Sequence, residues 1–125
     1  MRTQDTFSSS TKKMLVACLC ADWCGTCREY QPRFEQLQAD FPDVQFLWID
    51  VEDESDMVDP IEVEKFPTLL IATRDQVQFF GTVMPHVETL QRLIETQLAP
   101  GAHVQSVSAD CAALAKRLWQ RATTE

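Results

Sequence analysis

The chain has 125 residues, 45% hydrophobic and 24% charged, and its 19 acidic side chains against 11 Lys and Arg give a formal net charge of −8. That length suits one domain with an ordinary core, and the composition excludes a chain disordered throughout. The acidic balance argues against nucleic acid as the main partner, since phosphate binding needs clustered cations, and no run approaches the roughly 20 apolar residues of a membrane span.

Residues 1–13 are polar, with Ser8-Ser9-Ser10-Thr11 ahead of Lys12-Lys13, and read as a flexible arm. Met14 to Leu19 is an almost wholly apolar run that suits a strand buried on both faces. Helical spacing of Tyr30, Phe34, Leu37 and Phe41 predicts a helix from about Thr26 to Asp40. Pro32 lies inside it and should kink it, because it removes one N–H and crowds the preceding turn. Val44 to Val51 reads as a second buried strand. The stretch 52–64 holds seven acids and no cation, with Ser55 as the expected cap of a short helix that Pro60 limits. Thr68 to Thr73 and Val77 to Phe80 predict two further strands joined by a turn at Arg74-Asp75-Gln76. Val87, Leu90, Ile94 and Leu98 mark an amphipathic helix, broken by Pro100-Gly101. Ser108 then caps a last helix carrying Cys111, Leu114, Ala115, Leu118 and Trp119. A strand-helix-strand start implies a parallel pair with a right-handed crossover, and the hairpin adds antiparallel strands. The expected class is α/β, a mixed four-stranded sheet flanked by helices. The domain organisation reads as an arm (1–13), a core domain (14–100) and a helical extension (101–125).

Four of the five cysteines, Cys18, Cys20, Cys24 and Cys27, fall within ten residues. A disulfide-stapled domain would spread them to close long loops, so this clustering points to reactive or metal-binding thiols. Trp23-Cys24-Gly25-Thr26-Cys27 sits at a strand-to-helix junction. A helix start offers unpaired N–H groups and the positive end of its dipole, and both favour a sulfur anion. A four-thiolate metal site is disfavoured, because strand geometry turns Cys18 and Cys20 into the core while Cys24 faces outward. No metal and no cofactor are expected.

Residues 14–98 resemble the thioredoxin family. Ala21-Asp22-Trp23-Cys24-Gly25-Thr26-Cys27 is similar to that family's active-site segment, usually Trp-Cys-Gly-Pro-Cys. Pro32 falls where its active-site helix carries a proline, Phe66-Pro67-Thr68 looks like its cis-proline motif, and Gly81 falls where a glycine lines its substrate groove. The resemblance implies a thiol–disulfide oxidoreductase acting on protein disulfides, with Cys24 as attacking thiolate, Cys27 as resolving thiol and a mixed disulfide between them. It further implies that Trp23, Gly25, Thr26, Phe66, Pro67 and Gly81 contact the substrate, that Phe66–Pro67 is cis, and that a reductase recharges the pair. The competing reading is a binding or assembly module on the same fold with redox-silent cysteines.

Three features depart from the family pattern. Cys18 stands where the family has a buried Asp; it could form a third redox thiol near Cys27, though a small buried hydrophobe is the expected reading. Thr26 replaces the proline between the cysteines, which predicts a more oxidising pair. The thirteen polar residues ahead of Met14 read as too few for the family's first strand and helix, so the last helix is expected to cover the surface those elements would protect. His86 and His103 read as isolated surface residues, the acidic run 52–64 as a solvated face, and Cys111 as buried. Residues 1–13 lack the apolar core of a secretory signal, so the expected protein is a cytoplasmic monomer, or periplasmic if a leader has been removed.

Overall fold

The computed structural model describes residues 12–102 and 104–124; most of the N-terminal arm, and His103, lie outside them. Its elements are β1 (Met14–Cys20), α1 (Gly25–Leu37), β2 (Val44–Asp50), α2 (Ser55–Val58), β3 (Thr68–Ala72), β4 (Val77–Thr82), α3 (Val87–Leu98) and α4 (Ala109–Thr124), with a 3-10 turn at Gln38–Asp40 after α1. The strand order is β2-β1-β3-β4. β1 pairs parallel with β2, and both β1–β3 and β3–β4 are antiparallel. The mixed sheet expected from the apolar runs is therefore present.

Every residue of β1 and β3 is buried, which their near-continuous apolar sequences require of central strands covered on both faces. Alternation along β1 divides the interior into two layers. Met14, Val16, Cys18 and Cys20 face α1 and α3, meeting Cys27, Tyr30, Phe34, Leu90 and Ile94. Phe34 anchors that layer edge-on to Phe46 at 5.2 Å and to Trp48 at 5.7 Å. Pro32 lies inside α1, as expected, and α1 begins one residue earlier than its apolar spacing indicated.

Leu15, Ala17 and Leu19 face the opposite layer, where α4 lays Cys111, Leu114, Ala115, Leu118, Trp119 and Ala122 against Leu47, Ile49, Leu70 and Val77. The last helix thus covers this face of the sheet. The Ser108 hydroxyl accepts the Cys111 N–H at 3.1 Å, so it caps α4 as expected. Arg117 ties α4 to the acidic segment by donating to the carbonyls of Met57 (2.8 Å) and Asp59 (2.9 Å), and Arg121 pairs with Glu54. The Trp119 indole donates to the Thr73 carbonyl at 2.9 Å while the Arg74 guanidinium lies 4.1 Å above its ring. Between α3 and α4, the Gln105 side chain accepts from the Phe80 N–H (3.3 Å) and donates to the Phe80 carbonyl (3.1 Å) on β4.

Two local expectations change. Ser55 is the first residue of α2 rather than its cap; Glu54 precedes the helix, and no side chain caps it. Besides Phe66–Pro67, Asp59–Pro60 is also cis. No helix among the described residues is long and apolar enough to cross a membrane.

Candidate active site

Cys24 is the N-cap of α1, with extended backbone, and the Arg28 N–H closes the first helical turn on the Cys24 carbonyl at 3.1 Å. Its side chain is half-buried and its thiol free. Cys27 lies three residues on, on the same side of the helix, and is only 1% exposed. Trp23 beside them is 62% exposed. Its indole donates to a Glu52 carboxylate oxygen at 2.6 Å, and its ring meets Phe66 edge-on at 5.6 Å.

The sulfur pairing departs from the sequence. Cys27 is disulfide-bonded to Cys20, with Cα atoms 5.9 Å apart, and not to Cys24. Cys20 is the last residue of β1 and fully buried. The sequence offered Cys18 as a thiol that could lie near Cys27, with a small buried hydrophobe as the expected reading; Cys18 is buried one step behind Cys20, its S–H donating to the Cys20 sulfur at 3.9 Å. Both face the α1 layer, as period-two alternation demands, but Cys20 lies closer to the helix start. Among the described residues no group of His, Cys, Asp or Glu could hold a metal ion.

One positioning residue was not singled out from the sequence. Asp50 ends β2 and accepts three backbone N–H groups, from Asp22 at 2.8 Å, Glu52 at 2.9 Å and Asp53 at 3.0 Å. It fastens the segment before Cys24 to the segment carrying Glu52. The Arg28 guanidinium adds a bond to the Asp22 carbonyl at 3.0 Å. A carboxylate closing an apolar strand was the available signal, and it reads equally well as a solvated strand end.

The remaining predicted residues fall into three places. Gly25 and Thr26 form the exposed first turn of α1, and Thr26 borders a cleft of about 500 Å³ with Glu29, Tyr30, Arg33, Pro85 and His86. Phe66, half-buried against Trp23, precedes buried Pro67 across a cis bond, and the Pro67 carbonyl accepts the Val83 N–H at 3.1 Å. Gly81 lies in β4 opposite Leu69 and lines a separate cleft with Glu62, Lys65 and Thr68. The acidic run borders the far side of Trp23 through Glu52, Asp59, Glu62 and Glu64, in a recess of about 360 Å³.

Burial pushes the Cys18 thiol well up, so it remains protonated and cannot serve as a base. The Tyr30 hydroxyl is pushed up by burial and then by the neighbouring Cys18, and it has no hydrogen-bond partner. Burial also raises Cys111. Each of these groups is held neutral in the folded chain, whereas an unfolded thiol ionises near about 8.5 and an unfolded Tyr near about 10. Their contribution is therefore complete below about pH 8.5 and declines as pH rises beyond it. Melting followed by circular dichroism should show a falling midpoint from about pH 8.5 upward, with a shallower fall in Cys18→Ala. A midpoint that stays level to pH 10.5 would contradict this.

The family model described as Thioredoxin matches residues 2–96. The thioredoxin of Sus scrofa is 33% identical over 94 residues, covering 73% of this chain and 90% of that protein. Among solved structures, mitochondrial thioredoxin 3 from Saccharomyces cerevisiae in its oxidised form is 27% identical with a TM-score of 0.60, over 74% of this chain and 87% of that one. Thioredoxin f from spinach chloroplast is 25% identical with a TM-score of 0.62, over 76% and 82%.

Proposed function

This chain belongs to the thioredoxin family of protein-disulfide oxidoreductases, and on that premise we propose that Cys24 attacks a disulfide of a partner protein and that Cys27 resolves the mixed disulfide. The observation that carries this reading is the contrast between the two sulfurs. Cys24 stands free at the mouth, on the N-cap of α1 beside exposed Trp23, while Cys27 is buried one turn inward.

The thiolate of Cys24 forms a bond to one sulfur of the partner, and the other partner sulfur leaves as a thiolate and takes up a proton. Reduced Cys27 then attacks the Cys24 sulfur, releasing the second partner sulfur and leaving a Cys24–Cys27 disulfide. Departing anions at Cys24 face the unpaired N–H groups of the helix start. A partner segment lies across Trp23, Gly25, Thr26, Phe66 and Pro67, with Gly81 extending the contact. A reductase returns the pair to its dithiol. The protein works as a monomer in the cytoplasm: among the described residues the exposed large apolar side chains, Trp23, Met84, Leu98 and Val104, are few, and clustered thiols suit a reducing compartment.

Insulin reduction with dithiothreitol as electron source tests this reading. The intact protein should accelerate precipitation of the insulin B chain, and Cys24→Ser should return the rate to background. A folded intact protein with no activity would favour a binding module with silent cysteines.

A further inference from the structure

We propose that Cys20 is a third working thiol of this site, and that the disulfide moves by exchange at Cys27 between an outer Cys24–Cys27 form and an inner Cys20–Cys27 form. The inference rests on the oxidoreductase reading and adds a residue to it. Its carrier is the inner disulfide itself, with Cys24 left free.

Cys27 is flanked on both sides. Cys24 precedes it by three residues along α1 and approaches from the mouth, while Cys20 approaches from the end of β1. The step inward is internally balanced. Cys20 gives up its proton and its sulfur forms a bond to the Cys27 sulfur. The Cys24–Cys27 bond breaks, and Cys24 leaves as a thiolate that takes up a proton. No electrons enter or leave, and the protein remains oxidised by one disulfide. The step outward is the reverse, with Cys24 attacking Cys27 and Cys20 leaving.

Each leaving sulfur has donors waiting for it. Cys24 departs toward the unpaired N–H groups of the helix start. Cys20 departs toward the Cys18 S–H, which already points at it from 3.9 Å. Cys18, held as a neutral thiol, is thus a positioning residue for Cys20 rather than a member of the exchange. The inner form places an uncharged disulfide in the buried layer beside Cys18 and leaves the free thiol at half-exposed Cys24. In that form the oxidised bond is out of reach, Cys27 cannot resolve a mixed disulfide, and Cys24 is a lone thiol. A reductase regains the disulfide only after Cys24 has drawn it outward again.

Disulfide mapping after oxidation with oxidised dithiothreitol, acid quenching and alkylation tests the exchange. Chymotryptic cleavage after Leu19 and Trp23 separates Cys20 from the Cys24–Cys27 peptide. The outer form then appears as a looped peptide with Cys20 alkylated, and the inner form as a cross-link between two peptides with Cys24 alkylated. Wild type should give both, Cys24→Ser the cross-link alone, and Cys20→Ser the loop alone. Wild type giving only the loop would overturn the proposal, whether or not Cys24→Ser cross-links, and the wild-type arm needs no variant to fold. Insulin reduction on the same samples separates the two claims. Activity with only the loop rejects the exchange and keeps the oxidoreductase; both linkages without activity do the reverse.

Discussion

Truncation after Pro100 is expected to leave a chain that no longer unfolds cooperatively. The reason lies in what α4 brings to the sheet. Leu114 and Leu118 are fully buried, Trp119 nearly so, and together they cover Leu15, Ala17, Leu19, Leu70 and Ala72. Removing one buried Leu side chain typically costs about 2–5 kcal/mol, and a Trp about 3–5. Three such losses match the roughly 5–15 kcal/mol that separates a folded domain from its unfolded chain. The truncation also deletes the Arg117 bonds to Met57 and Asp59 and the Trp119 bond to Thr73. Thermal melts followed by far-ultraviolet circular dichroism should show no sharp transition in the truncated chain. The single change Leu118→Ala should preserve the fold while lowering stability by about 2–5 kcal/mol. A truncated chain melting at the full-length midpoint would show that α4 is an attached tail.

Cys27→Ser should reduce insulin turnover to background and accumulate a covalent adduct at Cys24. The two effects belong together. In the proposed mechanism Cys24 still attacks, but the buried group that should cut the mixed disulfide is now a hydroxyl, which cannot displace sulfur. Cys20 does not take over, because its position at the end of β1 serves the Cys27 side and not the half-exposed Cys24. Intact-mass measurement after incubation with an oxidised peptide should find one peptide per chain, removable by dithiothreitol. Cys24→Ser should carry none. A Cys27→Ser variant that turns over normally would remove Cys27 from the resolving role.

Much of the fold was legible because its signals are local. Continuous apolar runs marked β1 as a strand buried on both faces and located β2 and β3, although β2, read as a second buried strand, is an outer strand of the sheet; 3.6-residue spacing marked α1, α3 and α4. The covering role of α4 was legible in its own apolar stripe, since Leu114, Leu118 and Trp119 recur at helical spacing and must meet a partner surface. The site was legible in part. Cys24, Cys27 and Trp23 cluster in sequence because one turn carries them all. The partner of Cys27 was less accessible, since period-two alternation puts Cys18 and Cys20 on one face without saying which of them meets the helix. That choice depends on how far α1 is set back from β1, and Asp50, distant in sequence, holds the intervening segment through the Asp22 N–H. The start of α2 went astray for a simpler reason. Ser55 has the chemistry of a cap, but the chain turns one residue earlier, at Glu54.

The Gln105 side chain on β4 bears on how this protein behaves in a crowded solution. An outer strand exposes a row of unsatisfied amides and carbonyls that can template a foreign strand, the first step toward fibrils or swapped dimers. By accepting from the Phe80 N–H and donating to the Phe80 carbonyl, Gln105 occupies one such template position with a side-chain amide that has no strand of its own to pass the pattern on. The Gln105 N–H occupies the Gln78 carbonyl in the same way at 3.1 Å. Growth of the sheet at this rim stops within the molecule.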